Sequence, residues 1–310
     1  MKGIIIKSTG SWYKIKQANG STLDARVKGK FRLKDISTTN PLAVGDVVEY
    51  EMEPSGDAIV GIIHQLNFRK NYIIRKSNKL SKQGQIIASN IDIALLIVTL
   101  SSPRTSLGFI DRFLLMAGAY HIPVTLVFNK ADIYTAEEEQ HYQNLKQMYE
   151  NLGYQTALSS IVNNNYLPIN TILPLIKDKT ALLCGHSGVG KSSILNSLLP
   201  LIKQKVDNIS KIHLKGKHTT TFAEMFYVDE TTSIIDTPGI RDFGVIDIPE
   251  NEIGHYFTEI RALMPQCKFN DCKHLNEPEC AVIAAFENGK IMPSRYLSYI
   301  SIMENSDIFD

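Results

Sequence analysis

Residues 185–193 read GHSGVGKSS, and this stretch decides the fold of the chain. An apolar run at 180–184 leads into it, and residues 194–199 follow it with apolar side chains at helical spacing. This is the strand–loop–helix context of the phosphate-binding pattern G-x-x-x-x-G-K-[ST]. The fixed positions of that pattern are Gly185, Gly190, Lys191 and Ser192. The stretch therefore predicts an α/β domain built around a phosphate loop.

Glycines let such a loop curl so that successive N–H groups point at phosphate oxygens, and the helix N-terminus adds positive potential. Lys191 would reach the β- and γ-phosphates, which makes it a binding and a catalytic candidate, and the Ser192 hydroxyl would bind Mg²⁺. The alternative is a glycine-rich turn that binds nothing. The predicted phosphate-binding residues are Gly185, His186, Ser187, Gly188, Val189, Gly190, Lys191, Ser192 and Ser193.

A second motif, Asn129-Lys130-Ala131-Asp132, follows the apolar run at 124–128. Ligands of open parallel sheets bind beyond the carboxyl ends of strands, and N-K-x-D is the motif with which GTPases recognise the base. The Asp132 carboxylate would accept hydrogen bonds from guanine N1–H and from the exocyclic N2 amine. Two such bonds, at about 1.5–3 kcal/mol each, would favour guanine over adenine by roughly 10²–10⁴. The alternative is a strand-ending asparagine with an aspartate helix cap.

Three further segments complete the predicted guanine nucleotide site. Ser159 and Ser160, after the next strand, are the expected guanine-supporting loop. In Asp236-Thr237-Pro238-Gly239, Asp236 would hold Mg²⁺ through a water and the Gly239 N–H would contact the γ-phosphate. Residues 215–221, KGKHTTT, suit a switch I loop. One threonine hydroxyl there would bind Mg²⁺, with Thr219 preferred over Thr220.

The residue after Gly239 is Ile240, where Ras-like GTPases carry a glutamine that orients the attacking water. Isoleucine cannot hydrogen-bond that water, so we expect slow intrinsic hydrolysis. His218 is the candidate replacement because its imidazole can accept a hydrogen bond from water. The alternative is a structural or RNA-facing histidine.

The order of the motifs predicts a circular permutation. Ras-like domains run from phosphate loop through switch I and DxxG to NKxD, whereas here NKAD and the serine pair precede the phosphate loop. Strands alternate with helices from Ile91 onward, which predicts a mostly parallel sheet covered on both faces. One helix is expected over 166–177. The C-terminal segment reads as helical and irregular.

The N-terminal region has a different pattern. Five short strands predicted within residues 1–65, separated by turn signals, suit an OB-type barrel. Residues 1–90 carry 15 Lys and Arg against 7 Asp and Glu, which indicates a polyanionic partner such as RNA. A solvated basic face is the alternative. The expected domains are an RNA-binding barrel (1–65), a basic linker (66–90), a GTPase domain (91–245) and a zinc-binding helical domain (246–310).

Four cysteines in a chain without a signal-like or membrane-length apolar segment favour metal binding or burial over disulfides. We expect a cytoplasmic protein with no membrane partner. Cys267, Cys272, His274 and Cys280 lie within 14 residues, a spacing that suits one closed, structural Zn²⁺ site. Accidental clustering is the alternative. Cys184 is expected to be a small buried side chain.

Taken together, the chain resembles the bacterial RsgA (YjeQ-type) family of circularly permuted GTPases. The resemblance rests on the barrel-like N-terminus, ASNID (88–92), NKAD (129–132), GHSGVGKSS (185–193), GKHTTT (216–221), DTPG (236–239) and the Cys/Cys/His/Cys set. It implies a late maturation factor of the 30S ribosomal subunit that binds 16S rRNA and hydrolyses GTP. The resemblance further implies stimulation by the subunit, release upon hydrolysis, one Zn²⁺, and Mg²⁺ with GTP or GDP. A monomer is expected.

Two other functions stay open at this stage. One is a P-loop ATPase or kinase, which the Asp132 carboxylate argues against. The other is an RNA-binding module that is regulated by nucleotide without significant turnover.

Overall fold

The computed structural model of the chain describes residues 1–28, 41–56, 58–76, 84–205, 223–237 and 248–304. Five strands at the N-terminus form a closed barrel with the neighbour order 1-2-3-5-4, in which the first strand also pairs with the fourth. The strands are β1 (Lys2–Ser8), β2 (Tyr13–Gln17), β3 (Thr22–Val27), β4 (Val47–Ser55) and β5 (Ala58–Leu66). This confirms the predicted OB-type barrel.

The barrel core follows from alternation along the strands. Ile5, Tyr13, Ile15 and Tyr50 point inward and are almost completely buried, while their neighbours along each strand are more exposed. Burial raises the pKa of the Tyr13 hydroxyl to about 12, and the nearby Asp46 carboxylate adds to this shift.

The basic segment after the barrel, predicted as a linker, contains a two-stranded hairpin of β6 (Tyr72–Lys76) and β7 (Gly84–Ser89). A buried ion pair ties its start to the barrel. Nε and Nη2 of Arg69 donate to the two carboxylate oxygens of Asp46, both at 2.6 Å. The Asp46 side chain is fully buried and that of Arg69 is 6% exposed.

The central unit is an α/β sheet with helices on both faces. Its elements are β8 (Ile93–Val98), α1 (Leu107–Ala119), β9 (Val124–Phe128), α2 (Ala136–Asn151), β10 (Gln155–Leu158), α3 (Pro168–Thr171), α4 (Leu173–Ile176), β11 (Thr180–Cys184), α5 (Lys191–Lys205), β12 (Glu224–Tyr227) and β13 (Ser233–Asp236). The strand order is β10-β9-β8-β11-β13-β12, with parallel pairing except for β12. The mostly parallel sheet predicted from the sequence is confirmed.

The single helix expected over 166–177 is instead a 3₁₀ turn followed by the two short helices α3 and α4. Pro174 lies in the first turn of α4 and has no N–H to bond the preceding turn, so the helix cannot continue through it. The barrel and the central sheet are joined by hydrogen bonds, because β1 of the barrel pairs with β12 at Lys7 and Glu224. Their side chains form an ion pair of 2.9 Å.

The C-terminal unit contains α6 (Glu250–Ile253), α7 (Thr258–Leu263), α8 (Ala281–Glu287) and α9 (Pro293–Met303). Its apolar core includes Phe257, Ile260, Val282 and Tyr299, and Leu115 of α1 belongs to the same cluster. The unit therefore packs directly against the central domain. Within the residues described, no helix is long and apolar enough to cross a membrane.

Candidate functional site

The loop between β11 and α5 has the backbone of a phosphate loop. Gly185, Gly188 and Gly190 all adopt positive φ, at 139°, 86° and 101°. A Cβ atom on Gly185 would collide with the carbonyl oxygen of Ile97, and one on Gly190 would collide with the Asn129 amide. The two ends of the loop therefore require glycine for space as well as for backbone conformation.

Lys191 begins α5 and folds back over the loop. Its Nζ donates to the carbonyl oxygens of Gly185 and His186, both at 2.7 Å, and the residue is only 8% exposed. Burial lowers the pKa of this amine, and the Asp236 carboxylate opposes that shift. The cation is thus fixed at the centre of the loop, where phosphate oxygens would approach.

Asn129 joins the N-K-A-D segment to the phosphate loop. Its Nδ2 donates to the carbonyl oxygen of Val189 at 2.8 Å, and the side chain is 2% exposed. Its backbone N–H donates to Val98 in the neighbouring strand at 2.8 Å. Two segments that lie 60 residues apart in the sequence are therefore in direct contact at the carboxyl edge of the sheet.

The serine pair contacts the same segment from the other side. Ser160 Oγ donates to Asp132 Oδ1 at 2.5 Å and accepts the N–H groups of Val162 and Asn163 at 3.1 and 3.0 Å. The Ala131 N–H donates to the Ser159 carbonyl at 3.1 Å. Asp132 is exposed, so Ser160 holds a carboxylate that would otherwise turn freely in solvent.

One contributor was missed by the sequence analysis. Residues 99–106, which connect β8 to α1, contact both the N-K-A-D segment and the phosphate loop. Lys130 Nζ donates to the Ser102 carbonyl, and Pro103 would be 3.3 Å from a Cβ on Gly188. Lys130 has a left-handed backbone, with φ of 65°. The available signal was the position of SSPRT, which follows a fully buried strand of the parallel sheet, where site loops occur.

The DTPG segment begins beside the phosphate loop. Asp236 ends β13 opposite Leu183 of β11 and is 5% exposed, and Thr237 Oγ1 donates to the Leu183 carbonyl at 3.0 Å. Asp236 therefore lies within the electrostatic range of Lys191. The remaining predicted site residues fall outside the described part of the chain: they are His218, Thr219, Thr220 and Gly239.

Cys267, Cys272, His274 and Cys280 form a compact cluster, with one ligand atom from each residue within 4.8 Å of all the others. Sγ of Cys267 lies 3.9 Å from Sγ of Cys280, and His274 Nδ1 lies 3.6 and 3.4 Å from these two sulfurs. Bonds of about 2.0–2.3 Å around a tetrahedral Zn²⁺ place ligand atoms about 3.5–3.8 Å apart. The donor set and its spacing are therefore compatible with zinc.

The backbone around the cluster is held by hydroxyls from α9. The Tyr296 hydroxyl donates to the His274 carbonyl at 2.8 Å, and the Tyr299 hydroxyl donates to the Lys273 carbonyl at 2.7 Å. Cys280 caps α8, since its sulfur accepts the Ile283 N–H at 3.5 Å. Burial raises the pKa of Cys272 to about 12, so a bound cation would be needed to hold this thiol as thiolate at neutral pH.

An N-K-A-D segment, a phosphate loop and a DTPG segment, in this order along the chain and at one edge of the sheet, define a circularly permuted P-loop GTPase. The family described as RsgA GTPase matches residues 66–246, and the RsgA N-terminal domain family matches residues 2–60. The chain belongs to the RsgA family.

Curated relatives extend the match over nearly the whole chain. The protein named small ribosomal subunit biogenesis GTPase RsgA in Flavobacterium psychrophilum is 46% identical, covering 99% of this chain and 94% of the relative. Small ribosomal subunit biogenesis GTPase RsgA 2 of Bacteroides thetaiotaomicron is 47% identical, covering 99% and 97%.

Two solved structures are similar in fold. One is YloQ, described as a circularly permuted GTPase, with a TM-score of 0.71 and 30% identity over 98% of this chain and 94% of that one. The other is YjeQ from Thermotoga maritima, with the same TM-score and identity over 98% and 97%.

Proposed function

We propose that this protein is a GTP hydrolase that acts in the biogenesis of the small ribosomal subunit. The observation that carries the proposal is the bond from Asn129 to the Val189 carbonyl, which joins a guanine-type motif to a phosphate loop. The anchoring of Asp132 by Ser160 supports guanine as the base. The names of curated relatives supply the ribosomal context.

In this proposal the phosphates of GTP lie against residues 185–193, with Lys191 neutralising the β- and γ-phosphates. Asp132 accepts from the two guanine donors. Ser192, Asp236 and Thr219 offer the hydroxyl and carboxylate oxygens that Mg²⁺ prefers, with Thr220 as the alternative threonine. When bound, Mg²⁺ stabilises the negative charge that develops on the phosphate oxygens.

Hydrolysis requires a group that orients water, and Ile240 after the DTPG segment cannot do this. We propose His218 for that role, because an imidazole nitrogen can accept a hydrogen bond from water. The Gly239 N–H would contact the γ-phosphate. We therefore expect slow hydrolysis in the free protein. Hydrolysis should be faster on the ribosomal subunit, where contact with the partner would place His218 beside the attacking water.

The flanking units are assigned to RNA and zinc. Cys267, Cys272, His274 and Cys280 would hold one structural Zn²⁺, and metal ligation would add folding free energy to that of the small apolar core beside it. The basic barrel (1–65) and linker (66–90) would contact 16S rRNA in the 30S subunit. We also propose a cytoplasmic monomer, with the GTPase domain at 91–245 and the zinc domain at 246–310.

The decisive experiment is GTPase activity titrated with purified 30S, 50S and 70S particles. Stimulation by 30S alone, or by 30S far above the others, is expected. Equal rates with every particle would contradict a role on the small subunit, and absent turnover would favour an RNA-binding module that uses nucleotide as a static ligand.

A second measurement tests base recognition. Asp132→Asn should exchange guanosine for xanthosine nucleotides, because the amide can donate to the xanthine O2 where the carboxylate accepted from N2. Unchanged preference for GTP over XTP would mean that Asp132 does not contact the base.

A further inference from the structure

The start of α1 and the turn before it lie against the phosphate loop. The ring of Phe109, in the first turn of α1, is 3.7 Å from the His186 ring between centroids. Pro103 lies beneath Gly188, and the Ser102 carbonyl accepts Lys130 Nζ. We refer to residues 102–109 as the α1 support. It touches both the phosphate loop and the N-K-A-D segment.

The α1 support is bonded to Thr99, the residue that follows β8, and to the first turn of α1. The Thr105 hydroxyl accepts the Thr99 N–H at 3.1 Å, and the Thr105 N–H donates to the Thr99 carbonyl at 2.9 Å. Ser106 caps α1 by accepting the Phe109 N–H at 3.3 Å. Because residues 107–109 of the support are themselves the first turn of α1, a shift of α1 would move this end of the support relative to the phosphate loop.

One turn into α1, a buried ion cluster connects the helix to the C-terminal unit. Arg295 of α9 donates from Nη1 to Asp111 Oδ1 at 2.6 Å, and from Nε and Nη2 to the Glu259 carboxylate at 2.7 and 3.1 Å. The side chains of Asp111 and Arg295 are 0% and 2% exposed. Tyr149 of α2 donates its hydroxyl to the same Asp111 oxygen at 3.0 Å.

Arg295 is the cation of the cluster, whereas burial raises the pKa of the Asp111 carboxyl and Arg295 opposes that rise. Burial alone would lower the pKa of the Arg295 guanidinium, but the two carboxylates outweigh this effect and raise it. Arg295 therefore stays charged, and its planar fork forms paired hydrogen bonds with Glu259 while a third N–H binds Asp111, a geometry that the single nitrogen of a lysine cannot reproduce. Replacing buried ion pairs by apolar groups often costs little, so net stabilisation alone does not account for a buried ion cluster at this position.

We propose that Arg295 and Asp111 are positioning residues for the guanine nucleotide site: they fix α1 to the C-terminal unit and thereby hold the α1 support against His186, Gly188 and Lys130. The inference rests on the proposed function only in taking this loop edge as the nucleotide site. It assigns to the cysteine-containing unit a direct mechanical connection to the phosphate loop through α1. That connection is separate from the covalent one through the DTPG segment.

The test compares Arg295→Gln with a matched variant, Arg69→Gln. Arg69 is also buried and binds Asp46 through two hydrogen bonds, but that pair joins the barrel to the linker and, among the residues that the structure describes, contacts no nucleotide loop. Dissociation of a fluorescent GDP analogue is measured by stopped flow, together with thermal midpoint and zinc content. We expect dissociation roughly 3- to 30-fold faster for Arg295→Gln, the range of couplings carried through packed elements, and no change for Arg69→Gln.

A double-mutant cycle identifies the route. Asp111→Asn and the double variant Asp111→Asn/Arg295→Gln should show the same dissociation rate as Arg295→Gln, because both partners act through one ion pair. Independent, multiplying effects would overturn the proposal. So would equal dissociation rates for Arg295→Gln and wild type, with zinc retained.

Two outcomes distinguish a failure of the proposed function from a failure of the positioning role. If wild type binds neither GDP nor GTP, the proposed function fails, whereas normal wild-type binding with an unaffected Arg295 variant defeats the positioning role alone. If Arg295→Gln does not fold, Asp111→Asn is used alone, since its amide keeps the size of the side chain and can still accept a hydrogen bond from Arg295 while the charge is removed. An acceleration in the same direction is then expected, and no acceleration refutes the inference.

Discussion

Replacing Ser160 with alanine isolates the contact that holds the base-recognition carboxylate. The Ser160 hydroxyl donates to Asp132 and accepts two backbone N–H groups, so three hydrogen bonds depend on one oxygen. Ser159 is the matched control. Its side chain is buried and, among the described residues, its hydroxyl has no hydrogen-bond partner. Each variant removes one hydroxyl oxygen, and the two adjacent oxygens differ in the hydrogen bonds that they make.

The magnitude follows from the bonds lost. A hydrogen bond to a charged group contributes about 1.5–3 kcal/mol, and water can replace part of this at the exposed Asp132 carboxylate. Water can also reach the N–H groups of Val162, which is exposed, and of Asn163, which is half-buried. We therefore expect guanine nucleotide affinity to fall by the lower bound, about tenfold for Ser160→Ala. Ser159→Ala should leave affinity within about twofold, because it removes a buried hydroxyl that makes no bond.

The assay is equilibrium titration with fluorescent GDP and with the inosine analogue, which lacks the N2 amine. If Ser160 orients Asp132, the preference for guanosine over inosine should shrink in Ser160→Ala and stay intact in Ser159→Ala. A loss of affinity that is equal for both nucleotides would mean that Ser160 supports the loop without orienting the carboxylate. Equal affinities in the two variants and wild type would refute the whole argument.

Three other perturbations test the remaining parts of the site. Gly190→Ala should abolish nucleotide binding in the same titration and lower the free energy of unfolding by about 1–3 kcal/mol. The reason is that the φ of 101° at Gly190 and the adjacent Asn129 amide exclude a side chain. Near-wild-type binding would contradict this geometry. Cys267→Ser should lower bound zinc and make the thermal midpoint insensitive to a chelator, with Cys184→Ser as the control that keeps its metal; a chelator response equal to wild type would contradict zinc ligation. His218→Ala should reduce kcat on 30S subunits by about 10²–10⁴-fold at unchanged GDP affinity; unchanged stimulated kcat would eliminate His218 as the water-orienting group.

The elements could be predicted from the sequence because their local signals agree with the fold. Alternation in the barrel, the buried strands and the glycine loop each act over fewer than ten residues, and the boundaries of β9 and β11 match the predicted apolar runs at 124–128 and 180–184. The prediction of one helix over 166–177 is wrong, because Pro174 interrupts it. The hairpin of β6 and β7 was missed because its pairing spans a basic segment that has no strong alternation.

The long-range contacts could not be predicted, because no local pattern encodes them. Asp111 and Arg295 are 184 residues apart, and each alone resembles a charged residue on an exposed helix face. Only the packing of α9 on α1 brings them together. The Asn129–Val189 bond, in contrast, followed from topology, since both loops extend from parallel strands of one sheet.

Both flanking units contact the central domain at elements that adjoin nucleotide loops. The barrel pairs with β12, whose first residue Glu224 lies only a few positions after the predicted switch I segment, and Lys16 Nζ lies 3.1 Å from the centroid of the Tyr227 ring. The C-terminal unit contacts α1, which supports the phosphate loop. A circular permutation makes this arrangement possible, because the strand that begins the domain and the segment that ends it are both free to carry a further unit. The permuted order therefore lets the barrel contact the central domain through β12 and the cysteine-containing unit contact it through α1, without an insertion between strands of the parallel sheet.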